Sequence, residues 1–398
     1  MSKCVTVYTQ AYNVENYIEQ CIKSVLSQTF QDFEWILVEN GSTDKTREII
    51  RKYAALDERI KPDYFDVNQD GFTNYYIAEK ADGRYIVKID SDDWIEPEYL
   101  EKLIAPFEDP DVDISICGAV NYEEETGRET PHEYGELDGV YSKSDIEKQF
   151  IEMRSYMGTY WGKMFRREIF CSILPDMKEI GEKLKKGDNF GGDVAFALCY
   201  LGECKKLAFV NERMYHYRIH NNSYATRTIG TNRVFSCLTL RETEHHFLHK
   251  VNAYTEQNVI MVDLLFWQNI EQLFKNIIRA DWDTDQKIKT ISEVCANKDL
   301  QLLRKEVYNS KVRTILMGDI AWCYMNAGNS KYLKNVLMLL EPDIFDSISN
   351  ETYEWMRENQ ILMSYIIMGE FDNAKRYMEE ITTGNNVDYI RELQQRMH

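Results

Sequence analysis

Two patterns of apolar and polar positions alternate along the first half of the chain. Short runs of β-branched and aromatic residues, bounded by turn-forming residues, predict buried strands. Between them, apolar positions recur every three or four residues, which predicts amphipathic helices. Asn13 is the expected N-cap of the first helix, and Ser42 or Thr43 that of the second. Such alternation indicates an α/β fold built on a mostly parallel sheet. The predicted strands cover residues 5–9, 35–38, 85–89 and 112–117, and the predicted helices cover residues 17–28 and 45–56.

The pattern changes near residue 230, beyond which the chain is predicted to be almost entirely helical. Six of the seven prolines lie before residue 176, and only four of the 19 glycines lie beyond residue 230. Helical periodicity continues through residues 259–278 and through two candidate helical hairpins, 315–340 and 360–381. We therefore predict two domains, residues 1–228 and residues 229–398, of which the second is all-helical.

Composition and charge narrow the classes of function. The 398 residues include 66 Asp and Glu against 47 Lys and Arg, a net charge of −19. Such a chain repels nucleic-acid phosphates and anionic membranes, so we expect no nucleic-acid partner. No apolar run reaches the ~18 residues of a transmembrane helix, and the N-terminus lacks the apolar segment of a signal peptide. Nine scattered cysteines without a CxxC pair predict free thiols. We expect a cytoplasmic protein, with peripheral attachment at the inner membrane face left open.

Polar side chains stand where two of the predicted strands end. Asn40 follows the second strand, and Asp90, Asp92 and Asp93 follow the third. Ligands of open α/β sheets bind at the carboxyl ends of strands. Three neighbouring carboxylates repel one another unless a hard cation such as Mg²⁺ or Mn²⁺ joins them. Asp90 and Asp92 would face one side if the strand stayed extended. An acidic turn before a helix near Pro97 is the alternative that these residues leave open.

Seven segments in the first 225 residues follow one another in the order found in one enzyme family. They are residues 5–13, 24–34 (SVLSQTFQDFE, the most specific), 38–44, 85–94, 161–167 (WGKMFRR), 192–196 (GDVAF) and 215–223 (YHYRIHNNS). Through these segments the chain resembles, over residues 3–225, an inverting family 2 glycosyltransferase with a GT-A fold, a mostly parallel sheet flanked by helices. The resemblance implies transfer of a hexosyl group from a nucleoside diphosphate sugar, most often UDP, to a hydroxyl acceptor, commonly in bacterial surface glycan synthesis.

The resemblance also implies roles for the residues of a nucleotide site. Tyr12 matches a tyrosine that stacks on the base, with a core tyrosine as the alternative. Asn40 stands where the family usually has an aspartate that accepts a base N–H, and an amide oxygen can accept the same bond. Asp90 would bind the ribose. Arg218 would neutralise phosphate, with a structural ion pair as the alternative.

A divalent metal ion, Mn²⁺ or Mg²⁺, is the cofactor that the resemblance implies. Asp90 and Asp92 match the DxD pair, in which Asp92 would be the principal metal ligand and Asp90 would contact the metal or its water shell. His220 would complete the metal shell over the diphosphate, with a solvated histidine as the alternative. Asp193 matches the catalytic base that removes the acceptor proton, with a helix N-cap as the alternative.

The chain departs from the family pattern at several positions. Gln10-Ala11 replaces the usual Pro-Thr, and Gly192 replaces a glutamate before Asp193. The family's arginine before the DxD strand is not evident. A catalytically silent GT-A-like module, with the helical domain mediating assembly, therefore remains an alternative to an enzyme. The expected partners are a nucleotide-sugar donor, a glycan, lipid-linked, small-molecule or protein acceptor, and a second copy of the chain through the helical domain.

Overall fold

The computed structural model describes residues 3–69, 73–132, 137–220 and 232–279, with scattered positions between 282 and 300. The four predicted strands and the two predicted helices of the first half are confirmed, and further elements lie between them. The strands are β1 (Val5–Ala11), β2 (Phe33–Asn40), β3 (Ile60–Phe65), β4 (Tyr85–Lys88), β5 (Trp94–Ile95), β6 (Val112–Glu123), β7 (Arg128–Pro131), β8 (Gly139–Ser142), β9 (Lys163–Arg166) and β10 (Lys206–Ile219). The helices are α1 (Ile18–Leu26), α2 (Thr46–Ala54), α3 (Thr73–Lys80), α4 (Tyr99–Ile104), α5 (Ile146–Tyr156), α6 (Arg167–Ser172), α7 (Leu174–Leu184), α8 (Gly192–Glu203), α9 (Arg233–Lys250) and α10 (Glu256–Arg279).

A single mixed sheet joins all of these strands. Its main path runs β3-β2-β1-β4-β9-β6-β10-β5, with β7 paired to β6 and β8 paired to β10. Strands β3, β2, β1 and β4 pair in parallel, whereas β9 runs antiparallel to both β4 and β6. Strand β10 lies parallel to β6. The carboxyl ends of six strands therefore point to the same edge of the sheet, which is where ligands bind in such folds.

Two apolar layers cover the two faces of the sheet. The side chains of β1 alternate between them, because Val5 and Val7 face one layer and Tyr8 faces the other. In β2, Trp35 joins the layer of Val5, and Ile36 joins the layer of Tyr8. Burial of both faces explains why these strands are continuous apolar runs in the sequence.

The first two helices begin differently from the prediction. Helix α1 starts at Ile18, and Asn13 instead adopts a left-handed φ of 53°. Its side-chain oxygen accepts a hydrogen bond from the Thr43 backbone N–H at 2.8 Å. Asp44, rather than Ser42 or Thr43, accepts the N–H of Thr46 at the start of α2, at 2.9 Å. The predicted caps are thus wrong because these side chains bond the two loops after β1 and β2 to each other.

Gln28, in the family-like string at residues 24–34, joins two parts of the fold. Its side-chain nitrogen donates to the Glu96 carbonyl oxygen at 2.7 Å, and its oxygen accepts the Leu100 N–H at 2.9 Å. The end of α1 is therefore fastened to the segment that leads from the acidic turn into α4.

The chain divides into two compact units, Met1–Arg227 with Thr239–Val262, and Thr228–Leu238 with Asp263–His398. Leu240, Leu248 and Val262 pack into the apolar layer of the first unit. The described part of the second half is helical, in α9 and α10. The hairpins predicted at 315–340 and 360–381 lie outside the described residues, and the boundary at residue 228 stays a prediction. No helix among the described residues is long and apolar enough to cross a membrane.

Candidate functional site

Five of the predicted site residues lie at the carboxyl edge of the sheet because each follows or ends a strand that points there. Tyr12 follows β1 and Asn40 ends β2. Asp90 and Asp92 follow β4, and His220 follows β10. These residues are up to 208 positions apart in the sequence, yet they lie at one edge of the sheet because β1, β2, β4 and β10 run in the same direction.

The acidic segment after β4 is a turn. Strand β4 ends at Lys88, and the Asp93 N–H donates to the Asp90 carbonyl oxygen at 3.2 Å. Asp90 Oδ1 lies 3.0 Å from Lys88 Nζ, whereas Asp92 Oδ2 lies 3.0 Å from His220 Nε2. The strand therefore does not stay extended through these residues, and the condition under which Asp90 and Asp92 would share one side is not met. The turn gives each carboxylate its own partner and so reduces their mutual repulsion.

Asp93 points into the protein and fastens this turn to β10. One oxygen accepts the Tyr215 hydroxyl at 2.7 Å, and the other accepts the Arg218 backbone N–H at 2.8 Å. The Asp90 N–H donates to the same Tyr215 oxygen at 3.0 Å. Burial raises the pKa of Asp93 well above its usual range, and the charges of Asp92 and Asp90 raise it further. Asp93 is therefore a structural carboxyl of the turn.

Asp92 and His220 are two predicted metal ligands whose side chains the structure brings together. If Nδ1 carries the ring proton, the lone pair of His220 Nε2 faces Asp92 Oδ2 at 3.0 Å, so one cation could contact both atoms. The buried Nδ1 has no hydrogen-bond partner among the described residues. No cluster of three or more His, Cys, Asp or Glu side chains suited to a metal occurs within the described ranges. Two protein ligands still suit Mg²⁺ or Mn²⁺, which commonly take their remaining ligands from substrate phosphates and water. Asp90, held by Lys88, is the predicted ligand that the structure does not bring to this pair.

The guanidinium of Arg218 donates hydrogen bonds to other groups of the protein. Its Nε donates to the Asp92 carbonyl oxygen at 2.8 Å, Nη2 donates to Gln20 Oε1 at 2.5 Å, and Nη1 pairs with Glu124. The guanidinium lies 4.7 Å from the centre of the Trp94 ring, and the residue is only 5% exposed. These contacts favour the structural alternative to a phosphate-binding role.

We expect Arg218→Lys to lower the free energy of unfolding by roughly 1–3 kcal/mol, because one ammonium cannot replace three separately directed donors and leaves buried acceptors unpaired. Urea unfolding without nucleotide measures this change. Arg128→Lys is the matched control, because Arg128 pairs with Glu123 at an exposed position and its replacement should leave stability unchanged. Unaltered stability of Arg218→Lys with weakened nucleotide binding would instead assign Arg218 to the phosphates.

The two residues predicted to bind the base differ in accessibility. Tyr12 is 39% exposed, so its ring is available for stacking. Asn40 is buried, and its Nδ2 donates to Asn68 Oδ1 at 2.8 Å while its Oδ1 accepts the Gln69 N–H at 2.9 Å. Gly41, at φ 77°, lets the Val67 backbone come so close that a Cβ would collide with it. Asn40 thus holds the segment after β3, and its contact with a base stays a prediction.

Asp193 lies in the first turn of α8, near the acidic turn. Gly191 is the N-cap of α8, so the alternative that Asp193 caps this helix is wrong, although a first-turn carboxylate still suits the helix dipole. Solvent reaches the Asp193 side chain, yet many protein atoms surround it. This loss of hydration raises the pKa of its carboxyl, and Asp90 raises it further, while Lys88 and Lys163 lower it. A raised pKa suits a general base, and this role of Asp193 stays a prediction.

Two lysines of the site were missed in the sequence. Lys88 ends β4, and β9 pairs Met164 with Val87, which brings Lys163 next to it. Lys163 is almost fully buried and donates to the Thr159 carbonyl oxygen at 2.6 Å. Burial lowers its pKa to about 7, against the opposing charge of Asp193. The signal that could have identified each of them in the sequence is a lysine within an otherwise apolar strand pattern.

Comparison with known proteins identifies the family that the chain resembles. The family model described as "Glycosyl transferase family 2" matches residues 6–174. The proposed glycosyltransferase EpsH of Bacillus subtilis is 30% identical over 305 residues, which are 75% of this chain and 84% of EpsH. Glycosyltransferase GlyA of Streptococcus pneumoniae is 29% identical over 227 residues, 55% of this chain but only 31% of GlyA.

Among solved structures, S. aureus TarS (residues 1–349) matches 84% of this chain and 90% of its own, with a TM-score of 0.52 and 17% identity. This likeness confirms the GT-A-type fold. The length of the match to EpsH and the family-model match from β1 to α6 together show more than a shared fold. The chain belongs to glycosyltransferase family 2.

Proposed function

We propose that this glycosyltransferase is metal-dependent and inverting, and that it moves a hexosyl group from a UDP-sugar to a hydroxyl acceptor in bacterial surface glycan synthesis. The observation that carries the proposal is the Asp92–His220 contact at the carboxyl edge of the sheet, with Asp193 within electrostatic range of Asp90 from the same acidic turn. The choice of UDP draws on the TarS structure, which was solved in complex with UDP-GlcNAc. The bacterial setting draws on the EpsH and GlyA relatives.

The proposed chemistry assigns one task to each group. Tyr12 offers a ring for the base, and Asp92 with His220 would hold Mn²⁺ or Mg²⁺ at the diphosphate. When bound, the ion offsets negative charge on the leaving diphosphate. Asp193 accepts the proton of the acceptor hydroxyl while that oxygen forms a bond to the anomeric carbon. The bond from this carbon to the diphosphate oxygen breaks on the opposite face, and its electron pair leaves with the nucleotide, so the configuration inverts.

A thermal-shift screen of nucleoside diphosphates, with Mn²⁺ and with EDTA, tests donor and metal together. A ligand that binds only the native state stabilises it by RT ln(1 + [L]/Kd), about 2.7 kcal/mol at a concentration of 100 Kd. We expect UDP to raise the unfolding temperature in Mn²⁺ and much less in EDTA. If GDP or another base gives the larger shift, the UDP assignment fails. If no nucleoside diphosphate gives a shift in Mn²⁺, the donor-binding proposal fails.

A silent binding module is the second candidate, favoured by the engagement of both Asn40 amide atoms within the protein. Such a module would bind UDP in the screen yet release no UDP from any UDP-sugar. Metal-dependent donor hydrolysis would exclude it. The acceptor, whether glycan, lipid-linked or protein, and the role of the helical half as acceptor platform or oligomerisation surface remain parts of the proposal to be tested with the full chain.

A further inference from the structure

Lys88 is a cation placed among carboxylates of the candidate site. Its ammonium lies 3.0 Å from Asp90 Oδ1 and 5.2 Å from the centre of the Tyr160 ring. Its side chain is 22% exposed, so the charge lies at the edge of the core. Asp193 and the buried Tyr8, the partner of Lys88 in the β1–β4 register, also lie within electrostatic range of this ammonium.

A structural role for the backbone does not account for a lysine here. The neighbours Val87 and Ile89 are fully buried in one apolar layer, and Tyr8 lies in the other. An apolar side chain would fit this strand, and a charge so near the core is costly unless it is paired. The partners that compensate this cost are Asp90, from the turn after β4, and Asp193, from α8. The ammonium of Lys88 therefore pairs with Asp90 and interacts electrostatically with Asp193, the proposed general base.

We propose that Lys88 is a positioning residue for glycosyl transfer: its ammonium fixes the Asp90 carboxylate of the acidic turn and, from the same place, attracts the Asp193 carboxylate, which helps to hold the proposed base in position. The inference rests on the proposed function. Without Lys88, Asp90 and Asp193 repel each other with no intervening cation. Within the described ranges, Lys163, Tyr8 and Tyr160 also interact electrostatically with Asp193. Lys163 donates to the backbone carbonyl oxygens of Thr159 and Trp161.

The test compares Lys88→Met and Lys88→Arg in the full-length protein with saturating UDP-sugar and Mn²⁺. We expect Lys88→Met to lower kcat by about tenfold, a loss of one charge interaction, while UDP affinity in calorimetry changes by less than about threefold. Lys88→Arg keeps the charge and should recover most of the loss. Lys206→Met is the matched control: Lys206 pairs with Asp109 at 2.8 Å at the start of β10, far along the strand from the site, and its replacement should leave kcat unchanged.

A double-mutant cycle with Asp193→Asn distinguishes a positioning role from a merely structural one. It compares the effect of Lys88→Met on kcat in the presence and in the absence of the Asp193 carboxylate. If Lys88 acts through Asp193, adding Lys88→Met to Asp193→Asn should lower kcat by less than about twofold, because the group it serves has already been removed. The inference would be overturned if the decreases in kcat from Lys88→Met and Asp193→Asn multiplied fully in the double variant. It would also be overturned if Lys88→Met alone had a kcat near that of wild type.

Two controls keep the outcomes distinct. If Lys88→Met does not fold, Lys88→Gln removes the charge while keeping a hydrogen-bond donor for Asp90, and the same cycle applies. If the wild-type protein itself neither binds UDP nor consumes a UDP-sugar, the proposed function fails. If the wild type is active and the Lys88→Met variant has the same kcat, only the Lys88 inference fails.

Discussion

Asp193→Asn is expected to lower kcat by about 10²–10⁴-fold, the usual contribution of a general base. Asparagine has nearly the shape of aspartate but cannot accept the acceptor proton. Because the acidic turn and the Asp92–His220 pair are left in place, UDP affinity in Mn²⁺ should change little. Kinetics with a saturating donor, combined with calorimetric titration of UDP, measure both quantities.

The pH dependence of the wild-type enzyme provides a second measurement of the same group. Reduced hydration and the Asp90 charge raise the pKa of Asp193 from its ordinary value. A base works only when ionised, so kcat should rise with pH through a value above the usual aspartate range and then level off. Asp193→Asn should abolish this acid limb together with the activity.

Asp176→Asn is a matched control, since Asp176 also lies in the first turn of a helix, α7, and lines a different groove. Its kcat should match that of wild type. A folded Asp193→Asn protein that retains turnover within about threefold of wild type, far above the value expected for a lost base, would contradict the assignment.

Asp92→Asn should show the second largest effect, on metal-dependent nucleotide binding. The substitution removes a carboxylate that faces His220 at 3.0 Å and replaces it with a weaker, neutral ligand. Loss of partners that only orient metal ligands already costs 10–100-fold in many sites, so the loss of a ligand should cost at least about tenfold. Titration of UDP in Mn²⁺ and in EDTA separates the metal-dependent part from the rest.

Asp90→Asn is the informative comparison for Asp92→Asn. Asp90 pairs with Lys88 and lies outside the Asp92–His220 pair, so we expect a smaller loss of Mn²⁺-dependent affinity from Asp90→Asn. Equal losses would mean that both carboxylates bind the ion. An Asp92→Asn protein that binds UDP in Mn²⁺ as wild type does would remove Asp92 from the metal site.

The sequence by itself determined the α/β fold, the positions of its first strands and helices, and the family. These features depend on local information: apolar periodicity marks each element, and short strings such as that at 24–34 are specific without any knowledge of contacts. The same information indicated which edge of the sheet carries polar residues, because the residues at strand ends can be identified from the order of elements.

Only the tertiary structure decided what each of those polar residues does. Asp90, Asp92 and Asp93 look equivalent in the sequence, yet one pairs with Lys88, one with His220 and one with Tyr215. The partner of Asp92 lies 128 positions away in the chain, and strand pairing, not local pattern, sets which side chains meet.

The same physical reason explains Arg218 and Lys88. Arg218 donates to Gln20, 198 positions away, so its commitment to the fold depends on how β10 lies against α1. Lys88 lies within an apolar strand pattern, so the sequence did not single it out. Its proposed positioning role depends on Asp193, which a separate helix, α8, brings within electrostatic range. Local patterns specify elements, whereas the register and packing of distant elements decide which charges face one another.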